Sequence, residues 1–133
     1  MKNFLFLAIT FFTFQIVLAQ EQITTSEEKI YEIKDVDIKP EYPGGIDVFY
    51  KFIAQNIKTP EQEGLNGEVV VAFIIEVNGD ISSVTSTKDI GFGSGAEAVR
   101  VVKKSNKWIP AQKEGKLVRV VFRLPITISS VNH

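Results

Sequence analysis

The chain has 133 residues, 44% of them hydrophobic and 23% charged, with a formal net charge of −1. These values fit one globular domain and give no sign of a nucleic-acid surface. With no cysteine and one histidine, the terminal His133, disulfides, thiolate chemistry and Cys-ligated zinc are excluded, and a Ser-His-Asp triad or histidine metal cluster has little to build on.

Residues 1–19 read as a secretory signal peptide. Lys2 opens the segment, Phe4 to Ala19 is apolar apart from Thr10, Thr13 and Gln15, and Val17-Leu18-Ala19 offers a peptidase site, so cleavage is expected after Ala19. The apolar run is about 16 residues, against roughly 20 for a bilayer span; retention as an inner-membrane anchor is the alternative. Residues 20–38 form a flexible lead-in, polar from Gln20 to Lys29. Tyr31, Ile33, Val36 and Ile38 then alternate with charged residues, as a short strand on the domain edge or an extended arm.

Pro40-Glu41-Tyr42-Pro43-Gly44-Gly45 marks a turn. Ile46, Phe49, Tyr50, Ile53 and Ile57 recur at helical spacing, Phe52 widens the stripe, and Asp47 suits the helix N-terminus. Thr59-Pro60-Glu61-Gln62 predicts a second, very short helix capped by Thr59 and ended by Gly64. From Gly67, strict alternation places Val69, Val71, Phe73, Ile75 and Val77 on one face of a strand, with Glu68, Val70, Ala72, Ile74 and Glu76 on the other. Asn78-Gly79 predicts a tight hairpin with both residues at positive φ.

Ile81 to Thr87 is a weaker strand, and the Ile81-to-Val84 spacing predicts a bulge. Gly91-Phe92-Gly93-Ser94-Gly95-Ala96 has the form of a dinucleotide fingerprint. The strand before it is Ser/Thr-rich, however, and the chain is too short for a doubly wound domain. It reads instead as a loop with Ser94 capping the next helix. That helix, from Ala96, presents Ala98, Val101, Val102 and Ser105 on one face, with Asn106 ending it. Trp108 is expected to plug the core, and Pro110 prevents continuation of the helix. Ala111 to Lys116 reads as a turn. A last strand follows, with Val118, Val120, Phe122, Leu124 and Ile126 on an apolar face and Leu117, Arg119, Val121 and Arg123 on a mixed one. Pro125 suits an edge strand. Residues 129–133 are a tail.

The expected fold is α+β, with a domain over residues 39–128. Its antiparallel sheet has three strands, or four if the lead-in pairs, with helices packed on one face. Val69, Val71, Phe73, Ile75, Phe49, Ile53, Ala98, Val102 and Trp108 make the core. An acid/base pair of Glu97 with Glu68 or Glu76 is conceivable, but surface carboxylates of this kind are ordinarily solvated. No enzyme and no cofactor are expected.

Several groups of residues together resemble the C-terminal domain of the TonB family. They are Tyr42-Pro43-Gly44-Gly45, the Gly67-x-Val69-x-Val71-x-Phe73 run, Gly79-x-Ile81, Glu97 to Lys103, Lys107-Trp108-x-Pro110, Gly115-Lys116 and Leu124-Pro125-Ile126. The resemblance spans roughly residues 39–128. It implies a periplasmic protein-binding module that pairs its last strand with an extended peptide of an outer-membrane TonB-dependent transporter. The residues concerned are Leu117, Val118, Arg119, Val120, Val121, Phe122, Arg123 and Leu124. The cleavable N-terminus, the lack of a long linker and the missing intramembrane polar residue depart from the family's energy transducers. A membrane-anchored transducer coupling proton motive force to outer-membrane transport is the alternative if residues 1–19 are retained. A further alternative is a structural domain that self-pairs through its last strand into a homodimer.

Overall fold

The alternating stretch after Gly67 folds as a strand with neighbours on both sides, and the other elements assemble on it. The computed structural model describes residues 29–130; the signal-peptide segment, residues 20–28 of the lead-in and residues 131–133 lie outside the described residues. In chain order the elements are β1 (Ile30–Glu32), a 3-10 turn (Ile33–Asp35), α1 (Ile46–Asn56), β2 (Asn66–Ile75), β3 (Ile81–Lys88), α2 (Ser94–Val102), β4 (Ala111–Lys113) and β5 (Lys116–Ser129). The sheet order is β1-β5-β2-β3, with β4 also paired to β5. β2 runs antiparallel to both neighbours, and β1 joins β5 in parallel.

The α+β class holds, with five strands rather than three or four. The lead-in contributes β1, shorter than its alternating pattern, and Ala111 to Lys116 forms β4 and a tight turn rather than a turn alone. Val69, Val71, Phe73 and Ile75 of β2 and Val120, Leu124, Ile126 and Ile128 of β5 are buried with Phe49 and Ile53 of α1 and Ala98, Val101 and Val102 of α2 in one cluster. Each large side chain of this kind contributes about 1.5–3 kcal/mol through burial.

Local expectations fail where tertiary contacts or helix nucleation decide. No helix forms at Thr59–Gln62; the chain turns there through bonds from Gln62 N–H to Pro60 O and from Leu65 N–H to Gln62 O. Four residues with no apolar face cannot offset the cost of a first helical turn. α2 begins at Ser94, with Gly93 in the left-handed conformation as its N-cap. Ser94 is buried, and its hydroxyl accepts from Ile90 N–H at 3.2 Å rather than capping the helix. α2 ends at Val102, so Ser105 and Asn106 lie beyond it.

Between Ala72↔Thr85 and Ile74↔Ser82, β3 uses one more residue than β2, with Ser83 at φ 50°. This extra residue reconciles the odd spacing of Ile81 and Val84, which both pack against the core.

The Asn78-Gly79 turn also differs from expectation. β2 stops at Ile75, Val77 is exposed, and the loop closes through Gly79 N–H to Glu76 O at 2.9 Å and Glu76 N–H to Asp80 O at 2.8 Å. Only Gly79 takes positive φ. The two-residue turn with both φ positive appears instead at Glu114-Gly115, between β4 and β5.

Gly79 is set by a tertiary contact. Its carbonyl accepts from Trp108 N–H at 2.9 Å, and a Cβ there would lie 2.1 Å from the Trp108 carbonyl oxygen. The Trp108 ring in turn meets Tyr42, Phe49, Phe73 and Phe122, with centroids 4.9–5.7 Å away. Tyr42 reaches this cluster because the chain reverses at Gly44 and Gly45, both at positive φ, before entering α1.

Ion pairs tie neighbouring elements together. Arg119 of β5 donates from Nε and Nη2 to the two Glu76 oxygens at 2.7 and 3.0 Å, and Ser82 Oγ donates to Glu76 at 2.6 Å. Arg100 pairs with Glu97 within α2 and donates to Asn56 O at 3.1 Å, joining α2 to the end of α1. The Arg119 bonds, followed by that from Ser82, hold the Glu76 carboxyl below its ordinary value of 4.5 despite partial burial. The Arg100 bonds do the same for Glu97.

Two outcomes follow for stability. Gly79→Ala should cost on the order of 3 kcal/mol in urea denaturation, through clash as well as φ. Gly64→Ala, at φ 76° with open space around it, should cost only about 1 kcal/mol. Equal costs would show that the approach to Trp108 is not the constraint. The lowered Glu76 and Glu97 values mean the folded state binds these protons less readily than the unfolded chain. Their contribution is therefore complete above the ordinary carboxylate range and lost as pH falls through the lower folded values. The urea midpoint should fall between about pH 5 and pH 3. Glu76→Gln should flatten that slope and cost about 1–3 kcal/mol at pH 7.

Candidate functional site

β5 carries every residue of the expected pairing strand, but its surroundings change along its length. Leu117 and Val118 pair with Gln112 and Ala111 of β4. Arg119, Val120 and Val121 stand opposite Ile30, Tyr31 and Glu32 of β1. Val120 to Ser129 pair with β2 on the other side. Val120 and Val121 therefore have strands on both flanks, which corrects the expectation of a wholly free last strand. From Phe122 to Ser129 no strand among the described residues lies beyond β5.

The backbone orientation of this open stretch follows from Pro125. It stands opposite Val70, has no N–H to donate, and its carbonyl accepts from Tyr50 Oη at 3.3 Å. The Val70 carbonyl accepts from Thr87 on the β3 side. Both observations place Val70 and Pro125 in a pair whose backbone groups face away from each other. By the alternation of an antiparallel ladder, Arg123 and Thr127 also turn their N–H and C=O outward. Pro125 thus fits the open edge, as its sequence position suggested.

Beside this edge lies a groove of about 500 Å³ lined by Tyr50, Ile53, Ala54 and Ile57 of α1, Glu68 of β2 and Pro125 to Thr127 of β5. Burial, and then the Glu68 carboxylate, push the Tyr50 hydroxyl up from its ordinary value, so it remains a proton donor at neutral pH. In the sequence Tyr50 and Ile57 belong to the helical stripe from Ile46 to Ile57, for which packing against the sheet is the default reading and a ligand groove the alternative. Their role in lining a groove depends on the approach of α1 to Pro125, a contact 75 residues apart in the chain.

The charged residues of the edge divide by partner. Arg119 faces Glu76 inside the domain, whereas Arg123 donates from Nη1 and Nη2 to Glu32 of β1 at 2.8 and 3.3 Å. Glu68 lies 3.8 Å from Lys88, Glu76 is held by Arg119, and Glu97 is held by Arg100. The three carboxylates considered for acid/base work are therefore each engaged with a separate cation. Among the described residues no group of three or more His, Cys, Asp or Glu could hold a metal ion, and no helix is long and apolar enough to cross a membrane.

The family described as Gram-negative bacterial TonB protein C-terminal has a model that matches residues 60–127, half of the chain. The matched region contains β2, β3, α2, β4 and β5 as far as Thr127, and leaves β1 and α1 outside. No curated protein matches the chain, and no solved structure matches it. The chain belongs to the TonB C-terminal family.

Proposed function

We propose that this domain is a periplasmic protein-binding module whose β5 edge takes up an extended segment of an outer-membrane TonB-dependent transporter. The observation that carries this reading is the open stretch from Phe122 to Ser129, where Arg123 and Thr127 turn backbone donors and acceptors away from the sheet. An incoming strand would gain affinity from those groups and specificity from side chains reaching the groove beside Tyr50. Family membership favours a role in outer-membrane transport over other strand-pairing functions.

The edge also suits pairing with a second copy of the chain, and one experiment separates the two uses. The immobilised chain, exposed to periplasmic and solubilised outer-membrane extract, should retain transporters through their N-terminal segments. Synthetic peptides of the retained segments should then slow hydrogen exchange at the Arg123 and Thr127 amides. Thr127→Pro removes one outward donor and leaves the β2 side of the ladder untouched. It should weaken peptide binding about tenfold, equivalent to the roughly 1.4 kcal/mol of one lost hydrogen bond. Full-strength binding by the folded variant would rule out edge pairing. A mass that doubles with concentration and returns to that of a monomer in Thr127→Pro would assign the edge to self-association.

Export is part of the proposal, because transporter segments of this kind face the periplasm. N-terminal sequencing of the protein recovered from cells should start at Gln20. A start at Met1 with membrane fractionation would favour an anchored transducer.

A further inference from the structure

β1 is weakly held. It is three residues long, none of them buried, and Ile30 is 41% exposed. Its side-chain link to β5 is the Glu32–Arg123 pair, which is about half exposed on both sides. The 3-10 turn that follows contains no buried residue. The stretch that follows, residues 33–38, is more firmly tied. Ile33 and Val36 pack against the core, and Ile38 forms a two-way bridge with Gln112, with bonds of 3.1 and 3.0 Å. β1 thus resembles a flap hinged at Ile33, and it covers the β5 edge directly before the open stretch begins at Phe122.

The pairing of this flap specifies what the edge accepts there. It runs parallel to β5, with Tyr31 opposite the buried Val120 and Glu32 opposite Val121. Glu32 then reaches two residues along β5 to the Arg123 guanidinium. Arg119 has its own carboxylate within the domain, so Arg123 is the cation on this strand whose partner comes from the flap.

We infer that β1 is an internal stand-in for the partner: the segment that binds β5 adds parallel to it, displaces β1, and places a carboxylate on Arg123 in the register of Glu32, one residue after an apolar or aromatic side chain opposite Val120. This deepens the edge-pairing reading and rests on it for the identity of the natural partner. A partner strand that takes the place of β1 can continue along the open stretch, whereas the chain after Glu32 turns away into the 3-10 turn. The flap lowers apparent affinity by the fraction of time it occupies the edge.

The chain has no cysteine, so a single engineered disulfide can test this. Glu32 and Val121 are register partners. The double variant Glu32→Cys/Val121→Cys, in the full chain, should hold β1 in place when oxidised and release it when reduced. The probe is the synthetic peptide Lys-Ile-Tyr-Glu-Ile-Lys, a copy of residues 29–34, carrying a fluorophore and followed by anisotropy. It should bind the reduced form at least about tenfold more tightly than the oxidised form, with both forms shown to be folded by thermal unfolding. Equal binding by the two forms, or binding by neither, overturns the proposal.

The same peptide carrying E32K should bind the reduced protein about threefold more weakly, as for an exposed ion pair. Adding Arg123→Glu to the protein should reverse that preference; a preference that survives the reversal overturns the carboxylate assignment. Without any disulfide, Glu32→Ala alone should bind the unmodified peptide a few-fold more tightly than the parent chain. If the β1 peptide binds in this lock-dependent way while transporter segments do not bind at all, the role of β1 stands and the transporter reading falls.

Discussion

The contact between Gly79 and Trp108 is the constraint on which the arrangement of the sheet depends. The Trp108 N–H bonds to the Gly79 carbonyl, and its own carbonyl approaches so closely that no side chain fits at Gly79. This fixes the end of the β2–β3 hairpin to the segment entering β4 and β5. The indole then fills the space between Tyr42, Phe49, Phe73 and Phe122. One side chain thereby connects the turn before α1, α1 itself, the central strand and the last strand. Aromatic pairs at these separations add directional energy to simple burial, so β5 is held at a defined angle. A rigid edge matters for strand addition, because a mobile one would lose entropy on pairing.

An unpaired strand edge is ordinarily a hazard, since it invites any extended chain to add. Three features limit that hazard here. Pro125 interrupts the donors in the middle of the open stretch, and the Tyr50 hydroxyl occupies the Pro125 carbonyl. Arg123 places a charge on the strand, and β1 covers the edge from Arg119 to Val121. Indiscriminate pairing is thus disfavoured by local chemistry, while Arg123 and Thr127 keep their backbone groups turned outward, as the proposed strand addition requires.

Much of this was legible in the residues. The period-two runs at Val69–Ile75 and Val118–Ile126 identify the two longest strands because only one face of each can be buried. The Ile46–Ile57 spacing identifies α1 for the equivalent reason at period 3.6. Elements governed by distant contacts were not legible. The Asn-Gly turn adopts a three-residue loop because Gly79 must meet Trp108, and local propensity carries no information about residue 108. β1 was only partly visible: the alternation from Tyr31 to Ile38 suggested an edge strand or an arm, but three residues in parallel pairing with a strand almost 90 positions later carry no local sign of their partner or their limits. The open edge was partly legible through Pro125, but its limits depend on where β1 and β4 stop.

The two arginines of β5 show how equal residues four apart in a strand come to differ. Both lie on the mixed face. Arg119 meets Glu76, which sits at the base of the β2–β3 hairpin and is fixed further by Ser82. That pair is about three-quarters buried, and removing either member would leave the other poorly solvated. Arg123 meets Glu32 in a pair that is half exposed, where the net attraction is small and water readily replaces either partner. Stability therefore favours keeping Arg119 engaged at all times, whereas Arg123 can exchange carboxylates at little cost. On the proposed reading, β5 holds the fold at one end and receives another chain at the other, and the two kinds of pair stand in that order along its length.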